Sequence, residues 1–222
     1  MEITGSLIIS YIIIVFTGLF PIANPLSTAP VFLVLTKNYS DLEKNDVALK
    51  ASIYMLIVLI SFLLLGALIL GFFGITITGL RIAGGLIILV TGLKMLFAPT
   101  EQSSQLDKKS VKHQNIAFSP LAMPMLSGPG SISVVLSMSD KIADLETYSL
   151  MITGYLVVAV GILITVVACW FVLRYSNKVT RFMGETGIDA MTRFMAFFLV
   201  AIGVDFLLGG VSAYLEGIKV IG

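Results

Sequence analysis

No charged residue occurs between Glu2 and Lys37. Residues 3–35 are therefore one apolar run, and it is too long. As a straight helix it would measure about 50 Å at 1.5 Å per residue, against a hydrocarbon core of about 30 Å. It must tilt steeply, break or re-enter the bilayer. Pro21, Pro25 and Pro30 favour a break, because proline removes a helix hydrogen bond and clashes one turn back. The rest of the chain fits a membrane setting. Hydrophobic residues make up 57% and charged residues 12%, with a mean hydropathy of +1.01, whereas a soluble domain carries roughly twice that charge. The start, MEITGSLIIS, has an acid and no early Lys or Arg. It reads as a retained membrane segment rather than a signal peptide.

Six membrane segments are expected, at about 3–35, 51–70, 77–97, 116–138, 148–173 and 190–211. The link at 71–79 is short and uncharged and reads as a tight turn near the membrane surface. Six crossings put loops 1–2, 3–4 and 5–6 on one side, and that side holds ten Lys and Arg. The other side holds three, Arg81, Lys141 and Lys219. The positive-inside bias then places those loops in the cytoplasm and both termini outside. Residues 99–115, PTEQSSQLDKKSVKHQN, are the only long polar linker. They separate a half at 1–98 from a half at 116–222, within one transport domain. Each half has three segments, an odd number, so a repeat of the halves would be inverted across the membrane.

Two stretches match. Residues 21–30 read PIANPLSTAP and residues 120–129 read PLAMPMLSGP. Aligned without gaps, both have proline at positions one, five and ten and alanine at position three. Paired interruptions in the two halves of a membrane chain point to a transporter's binding site. A helix kink is the plainer reading of either copy alone; the duplication favours a site. Asn24 followed by Pro25 reads as an N-cap and first helical residue, which would leave the N–H groups of Leu26, Ser27 and Thr28 facing the break. The second copy offers two helix starts, at Pro124 or at Pro129. Around the latter, Gly128 and Gly130 permit close backbone approach, and Ser127 and Ser131 add hydroxyls. A half-helix N-terminus suits a carboxylate and free carbonyls suit an ammonium. With no dedicated charged side chain, the pattern fits a small zwitterion such as a neutral amino acid.

NPLSTAPVFLVLT at 24–36, PLAMPMLSGPGSIS at 120–133 and GLRIAGGLIILVTGLKML at 79–96 resemble the MarC family, also called the neutral amino acid transporter family. The resemblance covers nearly the whole chain. It implies an all-α membrane protein of six helices built as two inverted three-helix repeats, the first helix of each broken at its proline motif. It also implies secondary transport of small neutral amino acids such as glycine and alanine, with proton coupling in some members. The motif positions are Asn24, Pro25, Ser27, Thr28 and Pro30, then Pro124, Ser127, Gly128, Pro129 and Gly130. Many relatives have glycine where Ser27 stands, and a serine there narrows the cavity and adds a donor.

Asp205 is the only acid well inside an expected segment. It is a candidate to carry a coupling proton, or else it sits shallow and faces water. Lys94 is expected to snorkel to the cytoplasmic interface and Arg81 to anchor the outer one. Trp170 and Tyr175 fit an interfacial aromatic belt, and Cys169 a packing role. The lone histidine, His113, lies in the polar linker, so no enzyme is expected: a nucleophile would lack a base at depth. No cofactor or metal ligand set is expected, beyond H+ or Na+ as coupling ion. Expected partners are the solute, the lipid bilayer and a second copy of the chain, and not nucleic acid, which a net charge of +1 gives no reason to bind. The alternative is a cation or metal exporter, or a channel, of similar six-helix architecture. Such exporters want acids at depth, and here there is at most Asp205.

Overall fold

The computed structural model describes residues 5–97 and 116–221. His113 and the linker at 99–115 lie outside them. Among the described residues the chain forms α1 (Gly5–Ala23), α2 (Pro25–Leu35), α3 (Asp41–Phe73), α4 (Ile77–Leu96), a π-wound segment π1 (Ala117–Leu126), α5 (Pro129–Ala143), α6 (Tyr148–Arg174) and α7 (Ser176–Ile221). Four stretches, within α3, α4, α6 and α7, are long and apolar enough to cross a membrane. Two bent pairs complete the set: α1 with α2 at 43° and π1 with α5 at 62°. With each pair as one span, the crossings number six.

Local chemistry sets the helix ends. Ser40 and Glu43 form a reciprocal capping box, with Ser40 Oγ accepting the Glu43 N–H and the Glu43 carboxylate accepting the Ser40 N–H. This starts α3 ten residues before its apolar run, and the expected boundary at 51 marked only where charges stop. Gly74 ends α3 in the left-handed region, φ 63, where glycine pays no Cβ penalty. Thr76 then caps α4 by accepting the Gly79 N–H at 3.1 Å, giving the expected tight turn. Gly184, at φ 65 and ψ 175, bends α7 ahead of its membrane stretch Thr186–Glu216.

Packing centres on close helix crossings. α4 and α7 run antiparallel along glycines, because a Cβ on Gly203 would lie 2.6 Å from Leu89 N and one on Gly92 2.9 Å from Val200 N. Small residues at such a crossing let backbones approach in lipid, where no hydrophobic drive joins helices. α3 packs against π1 and α5, while α6 packs against α1 and α2; α4 lies on α5, and α7 on α2. The buried core runs through Leu19, Met55, Leu59, Leu121, Val135 and Ile162. Cys169 is buried in it, as a packing role requires.

Candidate substrate site

The first break is one residue wide. Asn24 stands between α1 and α2 in the left-handed region, φ 41 and ψ 61. Asparagine tolerates that conformation better than other side-chain-bearing residues, and Pro25 disfavours the helical region for the residue before it. Pro21 and Pro30 lie inside α1 and α2 and do not interrupt them. The Asn24 cap is internally satisfied. Its Oδ1 accepts the Ser27 N–H at 3.3 Å, its Nδ2 donates to Ser27 Oγ at 2.9 Å, and the same Nδ2 lies 3.7 Å from Met95 Sδ. Ser27 Oγ is 3.0 Å from Thr192 Oγ1 on α7. Thr28 N–H and Oγ1 both donate to Asn24 O. The expectation of three free N–H groups here is thus corrected: that of Ser27 is taken by the asparagine side chain, which folds back onto the turn it starts, and that of Thr28 by the ordinary helix bond to Asn24 O.

The second break is wider and built differently. Within π1, Ser119 and Met123 are extended, and each precedes a cis-proline peptide bond. Met123 occupies the place that Asn24 holds in the first copy, and a thioether cannot cap backbone N–H groups. Ser127 N–H instead reaches back to Ala122 O at 2.8 Å, a wide i→i−5 turn. α5 begins at Pro129 with Gly128 as N-cap and no side-chain cap. Of the two starts the sequence offered, Pro129 is the one used. Gly128 is required, since a Cβ would lie 2.7 Å from Pro124 O. The first N–H to close onto the helix is that of Ile132, on Gly128 O at 3.1 Å. The N–H groups of Gly130 and Ser131 precede that closure.

Ser127 Oγ is fully buried and has no hydrogen-bond partner. Such a group costs about 1–3 kcal/mol and calls for a reason. Ser131, 1% exposed, donates from Oγ to Leu126 O at 3.4 Å, which ties the peptide leading into Ser127 to the first turn of α5. Gly128 is half-buried and Pro129 and Pro124 are exposed, so the helix start is sealed on the serine side and open on the proline side.

The two breaks adjoin. A Cβ on Gly130 would lie 3.0 Å from Ile22 Cγ2 and 3.0 Å from Ile88 Cγ1, which sets the last turn of α1 and the middle of α4 against the first turn of α5. They differ in depth. Gly130 meets α4 at Ile88 and Asn24 meets it at Met95, about 10 Å further along at 1.5 Å per residue. From Gly130 a line of buried serines, Ser133 and Ser137, follows α5 along α4. It ends where Arg81 Nε donates to Ser137 Oγ at 3.1 Å, with Arg81 Nη2 3.9 Å from Asp140 Oδ2. At the other end, Phe32, Asp41, Lys44, Arg174, Tyr175 and Lys178 line a cavity of about 240 Å³.

Of the sequence candidates, Asn24, Pro25, Thr28, Ser127, Gly130 and Ser131 are buried and Ser27 is half-buried, all at the two breaks. Asp205 is exposed on α7, and Lys94 is exposed on α4. Neither joins the breaks. Sequence reasoning missed Met95 and Thr192, which meet the Asn24 turn from 71 and 165 residues away, and no local signal marks them. It also read Arg81 only as an anchor, without its tie to Ser137 and Asp140.

Comparison with known proteins finds relatives described as integral membrane proteins. A family model described as MarC family integral membrane protein matches residues 9–215. The chain is 38% identical over 202 residues to a protein of Escherichia coli K12 named UPF0056 inner membrane protein MarC, covering 87% of this chain and 90% of that one. The protein of the same name from Shigella flexneri is equally similar, 38% over 202 residues with the same coverage. No solved structure gives a significant match.

Proposed function

This chain belongs to the MarC family of integral membrane proteins, and from that premise we propose that it carries small neutral amino acids, of the size of glycine or alanine, across the cytoplasmic membrane by alternating access. The observation that carries the reading is the pair of broken spans whose breaks adjoin inside the helix bundle, Ile22 against Gly130. Non-helical backbone at membrane depth is tolerated only against protein or a polar cavity. In transporters such breaks supply backbone groups to a solute.

An inverted repeat would support a rocking motion. Moving 111 residues along the chain carries Gly92 to Gly203, Leu89 to Val200 and Gly85 to Ala196. The close approaches Gly92–Val200 and Gly92–Ala196 then exchange with Gly203–Leu89 and Gly203–Gly85, and all four occur. The larger packing exchanges in the same way, α3 on α5 for α6 on α2 and α4 on α5 for α7 on α2. A two-fold relation in the membrane plane would produce this pattern. In this reading Arg81 with Ser137 and Asp140 closes the outer end, and the cavity beside Phe32 and Lys178 is the cytoplasmic vestibule.

Purified protein in liposomes should take up labelled glycine and alanine above the rate of empty liposomes. Running the assay with and without an imposed pH gradient reports proton coupling. Uptake of neither amino acid would remove them as substrates.

A further inference from the structure

The two half-helix N-termini are not equivalent, and the difference identifies which one meets the solute's acidic group. α2 begins under its own cap: Asn24 Oδ1 takes the Ser27 N–H, and Ser27 Oγ is engaged by Asn24 and Thr192. An arriving carboxylate would have to displace a closed set of hydrogen bonds. α5 begins with no side-chain cap. Its 15 residues make a helix long enough for a developed N-terminal partial charge. One residue before its N-cap sits Ser127 Oγ, fully buried and without a partner. A buried hydroxyl with no partner beside an uncapped helix start is an incomplete set of donors. An anionic oxygen completes it.

We infer that the N-terminus of α5, and not that of α2, binds the carboxylate of the transported solute, with Ser127 Oγ and the N–H groups of Gly130 and Ser131 as donors. The inference rests on the transport reading above and adds to it a polarity, since the sequence alone presents the two breaks as copies. The depth agrees. Gly130 lies against Ile88, twelfth of the twenty residues of α4, and transporter sites lie near the bilayer midplane. Ile22 and Ile88 both stand at 3.0 Å from where a Gly130 Cβ would be, so those two side chains border the helix start and must move for a solute to reach it. The α2 start, held by side chains from α4 and α7, then serves as the fixed wall beside it.

The test is a binding titration on the whole detergent-solubilised protein, read by thermal shift and calorimetry. The probes are glycine, acetate (a carboxylate alone) and glycinamide (an amine with no carboxylate). Glycine and acetate should bind and glycinamide should be at least tenfold weaker. Ser127→Ala should weaken glycine and acetate at least tenfold without lowering the melting temperature of the unliganded protein, because the lost hydroxyl had no partner. Thr91→Ala, which removes an exposed hydroxyl on the same helix as Ile88, should change nothing. Equal binding of glycine and glycinamide by the wild type, or unchanged glycine binding by Ser127→Ala, overturns the assignment while leaving amino acid transport standing. Acetate binding without glycine binding keeps the α5 anion site and removes the amino acid. Binding of neither overturns both.

Discussion

At the residue scale, one substitution between two nearly matched motifs decides how each break is built. Asn24 can adopt a left-handed backbone and cap the turn that follows; Met123, at the matching place, can do neither. The second helix therefore starts five residues later relative to the motif, where Gly128 permits the close approach of Pro124 O and supplies no cap. The Asn-Pro start was legible in the sequence because both residues act locally. The partners that hold it, Met95 and Thr192, were not, because their contacts depend on the packing of distant helices. Asn24→Ala removes the cap and places a Cβ-bearing residue without a polar side chain at φ 41. It should cost about 2 kcal/mol of stability, and Asn24→Gly, which keeps the backbone relaxed, less than half of that. Unfolding in detergent by heat or denaturant compares the two. Equal losses would mean that the backbone conformation contributes nothing.

At the element scale, the broken spans are visible as an overlength apolar run and a repeated proline pattern, and the choice left open between Pro124 and Pro129 falls to Pro129. A gap-free alignment equates Pro25 with Pro124, whereas the helix starts are Pro25 and Pro129. Proline marks where a helix can start, and the capping chemistry on its N-terminal side selects among the options. The long crossing of α4 with α7 leaves only a faint mark in the sequence, a glycine in each of the third and sixth apolar segments, Gly92 and Gly203. Apolar helices share glycines by chance, and only the contact geometry separates a crossing from coincidence. Gly203→Ala would push a methyl to 2.6 Å from Leu89 N. It should destabilise the protein by about 1–3 kcal/mol, as overpacking does. Gly209 on the same helix has nothing within 4 Å of its Cβ position, so Gly209→Ala should be neutral or stabilising by up to about 1 kcal/mol. A matched pair of melting curves reads the contrast. Equal melting temperatures would show that the crossing is slack.

At the scale of the whole molecule, the composition announced a membrane protein and the odd number of segments per half announced that any repeat must be inverted. What the sequence could not express was the difference in build between the two breaks, which lies in their hydrogen bonds. One break is closed on itself, and the other holds an unpartnered hydroxyl at the start of an uncapped helix beside the middle of α4. Under the proposed transport function a single site would be approached from either side, with Arg81 and Asp140 at one end of the α4–α5 seam and the cavity beside Lys178 at the opposite end of the bundle. The measurement that tests alternating access most directly is counterflow in proteoliposomes preloaded with unlabelled glycine. The wild type should accumulate external labelled glycine transiently above its equilibrium level, and Ser127→Val, which adds bulk beside the start of α5, should show no overshoot. A monotonic rise to equilibrium in the wild type would indicate a channel, and an overshoot undiminished in Ser127→Val would place the solute elsewhere.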